Sequence, residues 1–171
     1  MKRLLPMALL AGSLVAGPAV AEQLKVTMDI PAIQTAEYHR PYVAAWLQHE
    51  SGDITNLLVW YDTKLRNNEG EKWLKDMRQW WRRTGRALSF PVDGVTGATR
   101  APGTHSVRFV VGENPLGNLT AGSYTLIVEA AREVGGREMV AVPFTWPSNP
   151  GATFSATGSE ELGVVTLEIT E

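Results

Sequence analysis

Thirteen residues in the middle of the chain, Pro91 to Gly103, collect the side chains with the most chemical promise. Asp93 is followed after two spacers by the hydroxyl of Thr96, then by Gly97, Ala98, a second hydroxyl at Thr99, and Arg100. Residues as small as glycine and alanine let a backbone, a phosphate or another enzyme's active site approach closely. The chemistry open to a secondary alcohol in that setting is ester formation, with the carboxylate orienting the segment or a metal. Without such chemistry the same residues make an ordinary loop: Asp93-Gly94 and Thr96-Gly97 are turn dipeptides, and Pro102-Gly103 ends the connection.

The remaining reactive side chains point to little. His39, His49 and His105 show no ligand spacing, so a metal site would need carboxylates assembled by the fold, and each is expected to be a structural or surface histidine. Cysteine is absent, which excludes disulfides, thiol catalysis and thiolate metal sites. There is no G-x-S-x-G, no H-E-x-x-H and no paired-carboxylate spacing above background, so a self-contained enzyme is not indicated.

Strands and one helix must position the segment. Leu24 to Ile30 alternates apolar and polar residues, the pattern of a strand with one buried face. Tyr42 to Leu47 and Ile54 to Tyr61 are apolar on both faces around the turn formers Glu50 to Asp53, and they predict a buried hairpin with Trp46 and Trp60 in or beside the core. Asn68 and Glu71 make a capping box for a helix in which Trp73, Met77, Trp80 and Trp81 form an apolar stripe, stopped at Gly85. That stripe is expected to pack on a sheet, with Trp81 near the helix end also available as a platform for a flat ligand. Further strands follow at His105–Val111, Ser123–Ala131, Glu138–Trp146 and Gly163–Thr170, with Gly135-Gly136 as a tight hairpin and Ser148 to Gly151 as a connection. The expected fold is mainly β: an immunoglobulin-like antiparallel β-sandwich of about seven or eight strands with one inserted amphipathic helix. No internal repeat or boundary divides it.

Composition fits that picture. The 171 residues are 44% hydrophobic and 20% charged, enough to bury one core. Lys2 and Arg3 precede the apolar run Leu4 to Val15 and then Ala19-Val20-Ala21, which reads as a signal peptide over residues 1–21 cleaved before Glu22, leaving 22–171 as a single domain. The run is too short to span a bilayer, which takes roughly 20 apolar residues, so no integral span is expected in the mature chain and its location is periplasmic. After the leader, fourteen basic residues face eighteen acidic ones, a balance that argues against nucleic-acid binding.

Asp93, Thr96, Gly97, Ala98 and Thr99 resemble the D-x-x-[ST]-G-A-T acceptor motif of covalently flavinylated extracytoplasmic proteins, seen in flavin-bearing subunits of sodium-pumping and related membrane oxidoreductases. The resemblance implies that Thr99 accepts FMN as a phosphoester, joined by a periplasmic flavin transferase that uses FAD and a divalent metal. A second resemblance covers most of the chain. Arg40 to Ala44, Trp73 to Arg82, Asp93 to Pro102, Ala121 to Leu126 and Glu129 to Glu133 are similar to the bacterial periplasmic family catalogued as domain of unknown function 2271. That family has no established activity, and its members accompany membrane proteins with PepSY domains and flavin transferases, which implies an electron-transfer setting. Ala121 to Leu126 also resembles the immunoglobulin-like module of flagellar hook-capping proteins, a likeness of fold alone.

The function these resemblances imply is a non-catalytic periplasmic electron carrier with FMN on Thr99, exchanging electrons with a membrane redox partner. Trp81 would stack on the ring, and Arg82, Arg83 and Arg100 would face the phosphate or the reduced flavin. The alternative is a cofactor-free binding or assembly module in which the motif is only a rigid turn.

Overall fold

The computed structural model describes residues 21–171, so the expected leader, apart from its last residue, lies outside the described residues. Among the described residues nine strands form two sheets. In chain order they are β1 (Gln23–Ile30), β2 (Tyr42–His49), β3 (Ile54–Tyr61), β4 (Thr96–Ala98), β5 (Gly103–Val110), β6 (Gly122–Ala131), β7 (Arg137–Trp146), β8 (Thr153–Thr157) and β9 (Val164–Thr170). One sheet runs β5-β1-β9-β8 and the other β4-β3-β2-β6-β7. All neighbours are antiparallel except β3 and β4, which run parallel.

The period-two strands behave as their sequences require. Leu24, Val26, Met28 and Ile30 of β1 point into the sandwich with Val140, Val142, Phe144 and Trp146 of β7, while the intervening residues face outward. β2, β3 and β6 are apolar on both faces because the five-stranded sheet is covered twice. Val43, Ala45 and Leu47 join the core between the sheets, whereas Ala44, Trp46, Val59 and Ile127 face a second core closed by Leu74, Met77 and Trp80. Each buried Val, Leu, Ile or Met side chain among them contributes roughly 1.5–3 kcal/mol by leaving water, and each alanine less. The mainly β sandwich expected from the sequence is the observed fold, with a helical layer as a third stratum.

That layer departs from the expected helix. Residues Arg66–Asp76 form a 3-10 segment, and the α-helix, α1, is only Arg78–Arg83. Asn67 and Asn68 are left-handed at φ 54° and 56°, and no side chain caps the segment, so Asn68 is not the helix cap its spacing predicts. The start of α1 is held from another element. The buried carboxylate of Glu129 on β6 accepts the backbone N–H groups of Gln79 (3.1 Å) and Trp80 (2.7 Å) and pairs with Arg137 at 3.0 Å. Tertiary anchoring has replaced local capping. The expected Trp stripe is split accordingly: Met77 and Trp80 are buried, Trp81 is half-buried, and Trp73 is 47% exposed.

Two strands and one turn were not legible. β4 lies inside the run that reads as a loop, and β8 follows the Ser148 to Gly151 connection with only five residues. The turn between β6 and β7 is wider than a two-residue hairpin, since the N–H of Arg132 donates to Gly136 O at 3.0 Å. Its left-handed residue is Val134, at φ 52°, rather than either glycine.

Candidate functional site

The Asp93–Thr99 run is a turn that leads into the three-residue edge strand β4. The Thr96 hydroxyl accepts the N–H of Val92 at 2.8 Å, while the N–H groups of Val95 and Thr96 both return to Val92 O. Gly94, at φ +70°, closes the turn against Asn114, whose amide donates to Asp93 O at 3.2 Å. The Asp93 carboxylate itself is exposed, 3.5 Å from the same amide nitrogen. From Thr96 the chain pairs with β3, setting Thr96 opposite Val59, Gly97 opposite Trp60 and Ala98 opposite Tyr61. A Cβ on Gly97 would stand 2.9 Å from Trp60 Cδ1, so the glycine makes room for that buried indole. The Arg100 guanidinium sits 5.2 Å from the Trp60 ring centroid, a cation–π contact.

Thr99 closes the strand with its N–H donated to Tyr61 O at 3.2 Å, and no side-chain hydrogen bond among the described residues engages its hydroxyl. With Ala98 it borders a cleft of about 400 Å³. Strand direction explains what surrounds it. Because β2 runs antiparallel to β3 and β6, the start of β2 at Tyr42 and the ends of β3, β4 and β6 meet at one end of the sheet. Leu65 and Trp73 of the helical layer face this end, as does the approach to β2 at Tyr38, His39 and Arg40.

The charges along the cleft are mixed. Arg40, Lys64 and Arg132 are its basic residues, against Asp62, Asp76 and Glu133. Arg132 is fixed by two hydrogen bonds to the buried Glu161, at 2.9 and 3.0 Å, which hold its guanidinium charged above the ordinary range. Gly136 donates its N–H to the same carboxylate at 2.7 Å. Burial raises the Tyr38 phenol above its usual value, against the opposing pull of Arg132 and Arg40, so it remains a neutral donor. Tyr38 Oη and Arg132 Nη1 are both buried and lack a hydrogen-bond partner among the described residues. The Tyr42 phenol, also raised by burial, is engaged with Gly70 O at 3.1 Å.

Not every residue singled out in the sequence meets at this place. Trp81 lines a separate depression with Lys75, Arg78, Arg82 and Arg137, so the exposed indole beside Thr99 is that of Trp73. Arg83 donates to Gln48 at 2.7 Å and Arg82 Nε reaches Arg78 O at 3.3 Å; neither lines the cleft. Nor do Asp93, Thr96, Gly97 and Arg100, whose contacts belong to the turn and to Trp60. The sequence did not single out Tyr38 or Lys64, whose signal is their place in the segments flanking strands, where loops carry function, or Arg132, which it contained only within the Glu129 to Glu133 stretch.

The histidines have local contacts: His39 lies between Glu37 and Glu133, His49 bonds Ser51 through Nδ1 while its buried Nε2 has no partner among the described residues, and His105 bonds Ala101 O while its ring meets Trp60 edge-on. Among the described residues no group of three or more His, Asp or Glu side chains is arranged to hold a metal, and no helix is long and apolar enough to cross a membrane. A second depression, of about 450 Å³, contains His49 and Phe154 and borders no residue of the Asp93–Thr99 run.

No curated protein and no solved structure matches the chain. One family model does, over residues 23–164, which takes in β1 to β8 and the residues lining the cleft; its description is "Predicted periplasmic protein (DUF2271)". The chain belongs to that family of predicted periplasmic proteins.

Proposed function

We propose that this is a periplasmic electron-transfer protein that carries FMN covalently on Thr99 and exchanges electrons with a membrane-bound redox partner such as a PepSY-domain protein. The observation that carries the reading is the position of Thr99: the last residue of the acceptor-type run is the one that lines a cleft of about 400 Å³, within the size of cofactor sites, and its hydroxyl has no side-chain hydrogen bond among the described residues. Its neighbours fit the group. Arg40 and Lys64 border the same cleft and suit a phosphodiester, and the exposed Ala98 leaves the hydroxyl open to a transferase.

Attachment is a phosphoryl transfer. The Thr99 oxygen displaces AMP from the FMN phosphorus of FAD in the active site of a periplasmic flavin transferase with its divalent metal; a P–O bond to threonine replaces the pyrophosphate P–O bond, and the hydroxyl proton leaves to solvent. A covalent bond retains the cofactor in a compartment where a dissociated one is diluted. The bound flavin supplies the redox chemistry, and the protein holds, shields and tunes it.

The cofactor-free alternative draws on the structural duties of Thr96 and Gly97, which account for two motif residues without any ligand. Thr99 separates the readings. Co-expressed with a flavin transferase, the wild type and Thr99→Ser are expected to be yellow and to retain flavin after denaturation, and Thr99→Ala to be colourless with unchanged melting. Denaturation-resistant colour in Thr99→Ala contradicts the assignment.

A further inference from the structure

Resting on the flavin reading, we infer that the cleft beside Thr99 is the seat of the ring system: a site for a planar aromatic heterocycle with hydrogen-bond acceptors on one edge, stacked on Trp73 and met by Arg132 and Tyr38. The first observation is an unexplained exposure. Trp73 and Leu65 are large apolar side chains left 47% and 42% exposed, and both border the cleft, while Leu74, Met77 and Trp80 from the same layer are fully buried. Their neighbours show that the layer can bury such residues, so these two are left for something else to cover.

The second observation is independent of the first. Two polar atoms of cleft residues, Tyr38 Oη and Arg132 Nη1, are buried with no hydrogen-bond partner among the described residues, and the Arg132 side chain is only 7% exposed. A buried donor left unpaired costs about 1–3 kcal/mol, a cost that a ligand acceptor removes. Arg132 does not move to find one. Glu161 takes its Nε and Nη2, and the Tyr38 ring lies 5.9 Å from the guanidinium carbon, which leaves Nη1 as the free donor. A planar heterocycle with carbonyl and imine acceptors satisfies both orphans while its face covers Trp73, and a threonine-linked phosphate keeps it within reach.

The test separates seat from attachment. Wild type, Trp73→Leu and Tyr38→Phe are loaded by co-expression with a flavin transferase, and intact mass reports FMN on Thr99 while the visible spectrum, flavin emission and midpoint potential are read per attached flavin. Stacking predicts quenched emission in the wild type and its recovery in Trp73→Leu. Loss of one hydrogen bond in Tyr38→Phe changes the relative binding of the reduced and oxidised forms on the order of tenfold, about 30 mV for a two-electron couple. Spectrum, emission and potential unchanged in both variants, with FMN present on Thr99, overturn the seat and leave the attachment standing.

Free FMN titrated into Thr99→Ala reads the cleft with no covalent bond. Saturable quenching, weakened on the order of tenfold by adding Trp73→Leu, supports the seat whatever the mass of the loaded protein. No saturable quenching, or quenching indifferent to Trp73, overturns it. Trp73 is exposed enough for its substitution to leave folding intact, which far-ultraviolet circular dichroism verifies.

Discussion

Thr96 and Thr99 are three residues apart and chemically identical, yet their hydroxyls have different fates. That of Thr96 is spent on the N–H of Val92, whereas that of Thr99, a residue lining the cleft, has no such bond. Gly97 is small for a reason internal to the fold: a Cβ there meets Trp60, an indole with 4% exposure held between Arg100 and His105. Gly97→Ala therefore overpacks the site and is expected to lower stability by about 1–3 kcal/mol, read by urea denaturation. A cost below about 0.5 kcal/mol contradicts the packing role, within the range of ordinary surface changes. Residue types and spacing made the motif legible in the sequence, but not this division of labour, because Trp60 is 37 positions away and the pairing of β3 with β4 is long-range. The same limit explains Trp81. Its helical spacing is sound, but which indole meets the cleft depends on a 3-10 segment that the spacing does not encode.

At the scale of elements, two carboxylates replace what local sequence does not supply. Glu129 anchors α1 from β6, and the sequence carried a trace of it, since a charge at Glu129 interrupts the run Leu126 to Ala131, otherwise apolar on both faces. Glu138 on β7 gathers the loop before β9, accepting N–H groups from Ser159, Glu160, Glu161 and Leu162. Burial alone would raise its pKa, but those backbone donors and the Ser159 hydroxyl lower it from 4.5 to about 2. Since the folded value is the lower one, unfolding takes up a proton, and the stabilisation is whole above pH 4.5 and is lost as pH falls toward about 2. Between those limits the wild type should lose about 2 kcal/mol more than Glu138→Gln, after allowance for partial solvent screening. Parallel pH dependence of the two proteins contradicts the clamp.

At the scale of the whole molecule, the alternation of β1 and β9 and the doubly apolar β2, β3 and β6 made a sandwich readable, whereas the third layer was not. Its core uses the reverse face of strands whose other face already fills the first core, so neither forms without the five-stranded sheet. Calorimetry should accordingly show one cooperative transition, and two resolved transitions would contradict a shared sheet. The same sheet brings Tyr42, Asp62, Thr99 and Arg132 from four separate stretches of chain to one end, where the function is proposed to reside.

The most direct test of that function is peptide-mapped mass spectrometry of the exported protein made with and without a periplasmic flavin transferase. The account predicts an added mass of one FMN less one water, on the peptide containing Thr99 and only with the transferase present. An unmodified Thr99 peptide beside a modified control substrate would contradict it.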